Sequence, residues 1–246
     1  MPRGACAFAM MAVLGIVGTA WAVAIVDDAP DSQENVVSGA IETADTPWSG
    51  TNYDIRHVTA LGGGLPPVIT TLTSDSHNDF GARLAISSVN GDSWVAWWRD
   101  AAIDQIFVRK RNYATGAWSA ERVQSVSSEG SRRPSVTFDG SHTWIAYEVG
   151  ATGGATIFKA KVIDDDPAPF LSATVVATTS YVGAVQARIQ AEAGRLWLTF
   201  VDSETEVGWC RYDAGTATWA APAFESYAAD TVDDARARIR SNILAN

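Results

Sequence analysis

The sequence predicts an all-β fold: a β-propeller of about four blades, each a four-stranded antiparallel sheet, in a repeat of about 50 residues. Three observations predict it. Residues recur in columns: Trp94, Trp144 and Trp197 at spacings of 50 and 53, Arg83, Arg133, Arg188 and Arg238 at 50, 55 and 50, and Ile55, Ile106, Ile157 and Val207 at 51, 51 and 50. The segments carrying these columns alternate with period two and are rich in β-branched and aromatic residues. Turn residues punctuate them at short intervals, and no segment carries a helical stripe.

The elements follow in chain order. Residues 1–22 hold Arg3, an apolar run from Ala5 to Val17 and the small-residue sequence Ala20-Trp21-Ala22, which is the pattern of a secretory signal peptide. Cleavage would remove Cys6 and leave Cys210 alone. No internal disulfide is then expected, and Cys210 reads as a small buried hydrophobe. Residues 23–47 are acidic and read as a flexible leader, with a short strand near 36–41. The propeller domain is assigned to 48–246. It enters the repeat at a third strand, 53–58, and leaves with a first strand, 236–240. The last blade is therefore expected to close by pairing N- and C-terminal strands, which removes an open sheet edge. The alternatives are an open arc that closes against another chain and a chain cut short of its natural end. In the clearest repeat the strands fall at about 83–89, 93–99, 105–112 and 118–126. The first hairpin there is Asn90-Gly91-Asp92, whose Asn and Gly accept positive φ.

Several phrases are shared between blades: Arg133-Pro134-Ser135-Val136, Trp144-Ile145-Ala146-Tyr147, Tyr113-Ala114-Thr115-Gly116-Ala117-Trp118-Ser119 and Asp213-Ala214-Gly215-Thr216-Ala217-Thr218-Trp219. They resemble the BNR or Asp-box repeat of the sialidase-like β-propeller superfamily, over about residues 50–240. The resemblance implies a structural role for the third hairpin, where an Asp caps its own turn and a Trp packs between blades. The repeat is degenerate: Ala114 stands in the aspartate position, and the Asp213 copy has an extra residue. A sialidase would need three converging arginines, a Tyr–Glu nucleophile pair and an Asp acid, normally on six blades. No motif places Tyr53, Tyr113, Tyr147, Tyr181, Tyr212 or Tyr227 with a glutamate, so the resemblance implies no hydrolase activity and no catalytic residue.

Composition bounds the partners. Lys and Arg number 18 against 28 Asp and Glu, a net charge of −10, which argues against nucleic acid. Three scattered His and two Cys argue against a metal centre or a disulfide scaffold. Asp164-Asp165-Asp166 lacks the alternating ligands and Gly turn of a calcium loop and reads as a solvated loop. No cofactor is expected, and nothing after residue 22 is long and apolar enough to span a membrane.

The candidate ligand-binding residues are Arg83, Arg133, Arg188, Arg238 and Trp98. Strand one is innermost in a propeller, so the arginines would ring the channel mouth and could clamp a carboxylate, sulfate or phosphate. The competing reading pairs them across the first hairpin: Arg83 with Asp100, Arg133 with Glu148, Arg188 with Asp202. Trp94, Trp144 and Trp197 read as core fill. Trp97 and Trp98 are adjacent and face opposite ways, so the exposed one could stack on a sugar, as could Trp48.

These features favour a secreted, periplasmic or cell-surface β-propeller acting as a non-enzymatic binding or scaffold module, with a glycan, peptide or surface-protein ligand. The connections between strands two and three are short, which leaves little material for an active site and leans against an enzyme. Two alternatives stay open. One is a self-assembling extracellular surface or filament subunit. The other is a small glycosidase or lyase with a site at the channel mouth.

Overall fold

The computed structural model describes residues 31–62, 65–150, 156–164, 173–179, 187–192, 194–203 and 206–226. The expected signal peptide, the first part of the leader and the C-terminal strand with Arg238 lie outside the described residues.

Four antiparallel sheets follow one another along the chain, and no helix occurs among the described residues. Blade 1 is β1 (Asp31–Asn35), β2 (Ala40–Asp45), β3 (Arg56–Ala60) and β4 (Val68–Thr71). Blade 2 is β5 (Asn78–Ile86), β6 (Ser93–Asp100), β7 (Gln105–Arg111) and β8 (Arg122–Val123). Blade 3 is β9 (Ser131–Phe138), β10 (Thr143–Gly150), β11 (Thr156–Val162) and β12 (Thr174–Thr179). Blade 4 is β13 (Arg188–Glu192), β14 (Arg195–Ser203) and β15 (Glu206–Asp213), with β16 (Thr218–Trp219) and β17 (Ala223–Ser226) both on the edge of β15. The expected four-bladed all-β architecture is what the chain adopts.

The N-terminal boundary differs from expectation. Residues 31–45, expected within a flexible leader, form β1 and β2, and blade 1 is complete between Asp31 and Thr71. The place expected for a C-terminal strand in that sheet is taken by β1. Residues 36–39, expected to be part of a short strand at 36–41, form its turn instead: the amides of Ser38 and Gly39 donate to the Asn35 carbonyl at 3.1 and 2.7 Å. The apolar alternation that marks other strands is missing for a physical reason. Ser32 and Glu34 face solvent, while the inward positions are polar groups satisfied by hydrogen bonds, such as Asn35 and Glu42.

The first strands are innermost: β1 packs on β5, β5 on β9 and β9 on β13. Each blade junction holds its own apolar cluster. Ala44, Ile55 and Leu72 of blade 1 meet Leu84, Val95 and Trp97 of blade 2. Ala96, Ile106 and Val108 meet Ile145, Tyr147 and Val149 of blade 3, and Phe158 and Ala160 meet Ile189, Leu198 and Phe200 of blade 4. Trp94, Trp144 and Trp197 are all buried, as expected of core fill. Cys210 is a free, fully buried thiol, and burial pushes it up to about 12, so it is packing rather than chemistry. In the third hairpins, Asp213 accepts the amides of Gly215 (2.8 Å) and Thr216 (3.3 Å). Asn112 does the same for Thr115 at 2.9 Å in the copy that carries Ala114. Trp118 and Trp219 pack against the blade clusters.

Register defines which residues are equivalent. Trp94 lies opposite Ala85, Trp144 opposite Thr137, Trp197 opposite Gln190, and Glu42 opposite Gln33. Two residues further along each pair come Arg83–Ala96, Ser135–Ala146, Arg188–Thr199 and Asp31–Ala44. The inner-strand column is therefore Asp31, Arg83, Ser135 and Arg188. Arg133 is not in it. The β9–β10 loop between Phe138 and Thr143 is two residues shorter than the β5–β6 loop between Ile86 and Ser93, so a step of 50 from Arg83 lands on Arg133, two residues short of Ser135; Arg133 itself has a φ of +49°.

Candidate functional site

The four inner strands line one cavity of about 360 Å³ at the centre of the blades. Its wall includes Asp31 and Gln33 of β1, Arg83 of β5, Ser135 and Thr137 of β9, and Arg188, Gln190 and Glu192 of β13. Four of these groups stitch blade to blade. Asp31 accepts the Leu84 amide at 2.9 Å, and Gln33 donates to the Leu84 carbonyl. Ser135 accepts the Ile189 amide at 3.0 Å, and Thr137 the Ala191 amide at 3.3 Å. These bonds satisfy inner-strand amides that have no neighbouring strand to pair with.

Of the expected arginine ring, Arg83, Arg133 and Arg188 are among the described residues and Arg238 is not. Arg83 and Arg188 line the cavity. Arg83 lies opposite Ala96, not beside Asp100, which pairs with Asn78. Its guanidinium donates to the Ala82 carbonyl at 3.0 Å. Arg188 lies opposite Thr199 rather than Asp202 and is exposed; among the described residues its guanidinium forms no ion pair. Arg133 does not line the cavity. It pairs with the buried Glu148 at 3.1 Å, as the hairpin folding predicts, and the other Glu148 oxygen accepts the Ala187 amide of the next blade at 3.3 Å. Trp97 is the core member of its pair. Trp98 is half-buried between Phe80, ring to ring at 4.9 Å, and the Arg132 guanidinium at 5.4 Å.

Three features escaped the sequence reading. Asp31 and Ser135 belong to the cavity column, and a spacing of 52 through Arg83 would have found them. Arg99 gathers Asp79 (2.7 Å), Asp75 (2.9 Å) and Glu121 (3.2 Å) at the end of β6. Burial alone would lower Arg99, but Asp79 and Glu121 hold it firmly protonated. The β-bulge between Phe80 and Arg83 brings Asp79 opposite Arg99, a pairing that folding the hairpin about Asn90-Gly91 does not give. The third feature concerns tyrosine. Tyr147 feels the charge of Glu129, yet it is 1% exposed, and burial first, then Glu129, pushes its phenol up to about 12. Glu129 is itself held by Lys159 at 2.6 Å. A phenol so placed is the reverse of an activated nucleophile.

No family model and no curated protein matches the sequence. Solved structures do resemble the fold. A Hadza microbial sialidase superposes with a TM-score of 0.57 at 12% identity, over 82% of this chain and 46% of that one. A sialidase from Trypanosoma rangeli gives 0.52 at 9% identity, over 78% and 37%. An exo-β-1,3-galactanase from Phanerochaete chrysosporium gives 0.51 at 12% identity, over 79% and 49%. The chain thus spans less than half the length of each of these neighbours. At such identities the likeness speaks to architecture alone: the four sheets take a β-propeller fold.

Proposed function

We propose that this protein is a secreted, periplasmic or cell-surface carbohydrate-binding propeller without hydrolase activity, which holds the acidic group of a saccharide at Arg188 in the central cavity. One observation carries the reading. Arg188 is a solvent-accessible guanidinium with no ion pair among the described residues, on the wall of a cavity whose other polar groups are largely engaged in stitching. A planar guanidinium matches a carboxylate or sulfate with two parallel hydrogen bonds. Gln190 and Arg83 on the same wall supply donors and an acceptor for sugar hydroxyls. The buried, unactivated Tyr147 and the capture of Asp75, Asp79 and Glu121 by Arg99 favour binding over hydrolysis. The signal-peptide pattern of residues 1–22 supports the location.

The test is calorimetric titration with a uronic acid and its neutral parent sugar. The acidic sugar binds and the neutral monosaccharide does not. Arg188→Gln weakens the acidic sugar roughly tenfold or more, the usual loss for one charge-assisted contact, without changing the melting temperature. Equal affinity of Arg188→Gln and the parent protein for the uronate would sink the reading. Release of sugar from a glycoside substrate would overturn the non-catalytic half of it.

A further inference from the structure

Four aromatic rings run in unbroken contact across the end of the molecule where the inner strands begin. Trp48 meets Tyr53 at 5.0 Å between ring centroids, Tyr53 meets Phe80 at 5.1 Å, and Phe80 meets Trp98 at 4.9 Å. The Arg132 guanidinium closes the row over Trp98 at 5.4 Å and is itself anchored by the Asp104 carboxylate. The row begins in the β2–β3 connection of blade 1, crosses the start of β5 and the end of β6 in blade 2, and ends at the start of β9 in blade 3. It lies outside the central cavity, and none of its rings lines that cavity.

Two properties set this row apart from the aromatic pairs inside the blades. The first is exposure. Trp48 is 56% exposed and Tyr53, Phe80 and Trp98 are half-buried, whereas Trp94, Trp97 and Trp144 are buried. The second is rigidity. The turn that carries Trp48 is pinned by the Ser49 amide and hydroxyl, which both donate to the Asn52 carbonyl at 2.9 Å, and by a Trp48–Tyr53 bridge. Asn52 in turn donates to the carbonyls of Asp75 (2.7 Å) and His77 (3.1 Å), tying the turn to the next blade. At the other end, Gly81 has φ +63°, and a Cβ there would lie 3.3 Å from the Trp98 indole, so a side chain would crowd the ring. An indole held rigidly in solvent loses little entropy when something lies on it.

We infer that this aromatic row is a saccharide subsite that takes the uncharged pyranose rings of a chain whose acidic unit sits at Arg188. The inference rests on the reading above and extends it from one sugar to a chain. The chemistry fits on both sides. A pyranose face is a patch of C–H groups that an aromatic face covers well, while its rim of hydroxyls needs polar partners. Asp75 and His77, both exposed, and Arg132 supply that rim next to the rings. A purely apolar partner would strip water from these groups and offer no hydrogen bond in return.

The experiment uses the full chain and a neutral β-linked glucan hexasaccharide, with Trp48→Ala, Trp48→Phe and an exposed control far from the row, Val89→Ala. Titration and indole fluorescence read the binding. The hexasaccharide binds the parent protein and quenches indole emission. Trp48→Ala weakens it at least tenfold, Trp48→Phe restores most of the affinity, and Val89→Ala has no effect. A hexasaccharide that does not bind, or that binds Trp48→Ala as well as the parent, overturns the inference. Glucuronate alone, titrated in parallel, reads the Arg188 site. If glucuronate fails while the hexasaccharide binds through Trp48, the cavity reading falls and the aromatic subsite stands.

Discussion

At the second-strand column position, the junction between blades 1 and 2 and the junction between blades 3 and 4 fill one place with opposite chemistry. In blade 3 the second-strand column position is Trp144, which lies against Tyr212 at 4.7 Å and Trp219 at 6.2 Å beside a wholly apolar cluster. In blade 1 the equivalent position is Glu42. Its carboxylate is buried and accepts from Asn35 (2.7 Å), His57 (2.9 Å) and Ser93 of the next blade (2.6 Å), with Arg111 at 3.5 Å. Asn35 also donates to the Gly91 carbonyl across the junction at 3.0 Å, and Trp118 sits edge-on to His57 at 5.0 Å. The repeat geometry therefore does not require an indole. It requires volume and a bond to the neighbour. The apolar junction draws on buried area, which is non-directional. The polar junction draws on a closed set of donors, each of which leaves a buried partner stranded if removed.

The two junctions should break differently. The largest effect is expected from Trp144→Ala, which removes a buried indole and costs on the order of 3–5 kcal/mol. Glu42→Ala is expected to cost about 3 kcal/mol despite its smaller side chain, because Asn35, His57 and Ser93 lose their acceptor. Chemical denaturation measures both. A Glu42→Ala cost below about 1 kcal/mol would show that the network contributes nothing beyond volume.

Acidity separates the junctions more sharply. Burial alone would raise Glu42, but the hydrogen bonds from His57, Ser93 and Asn35 outweigh it and hold the group at about 2 against an ordinary 4.5. A carboxylate lowered in the folded state contributes stability above its unfolded value and loses it as pH falls toward the folded one. Roughly 2–4 kcal/mol should therefore fade between about pH 4.5 and pH 2. Glu42→Gln should flatten that part of the profile, while Trp144→Ala should keep its slope. Identical slopes in Glu42→Gln and the parent protein would remove Glu42 from the account.

The smallest effect is expected at Arg133. It is an ion-pair partner of Glu148 at a half-exposed position and lies outside the cavity column. Arg133→Ala should cost about 1 kcal/mol and leave the affinity for a uronate unchanged. Loss of that affinity would return Arg133 to the ring that its sequence spacing suggested.

The parts of this molecule that could be read in advance are those governed by burial. The Trp column and the Asn90-Gly91 hairpin follow from alternation and turn chemistry, and the hairpin fold correctly pairs Arg133 with Glu148. The errors have two physical sources. The β9–β10 hairpin loop is two residues shorter than the β5–β6 loop, which spacing between arginines does not reveal, so Arg133 takes the place that belongs to Ser135. Blade 1 presents Ser32, Glu34 and Thr43 at positions where blade 2 has Leu84, Ile86 and Val95, so its first strands carry no apolar alternation. The aromatic row was half visible. Trp48 and Trp98 stood out singly, but their link through Tyr53 and Phe80 depends on neighbouring blades meeting at one end.

The stitching of the inner strands has a mechanical consequence. Within a blade, strands are zipped by rows of backbone bonds that must open together. Between β9 and β13, single side-chain bonds from Ser135 and Thr137 reach the Ile189 and Ala191 amides. Load or thermal breathing will concentrate there, because each of these bonds can part without unravelling a strand. The blades then behave as stiff plates on compliant joints, and the width of the space they enclose is set by the joints rather than by the plates.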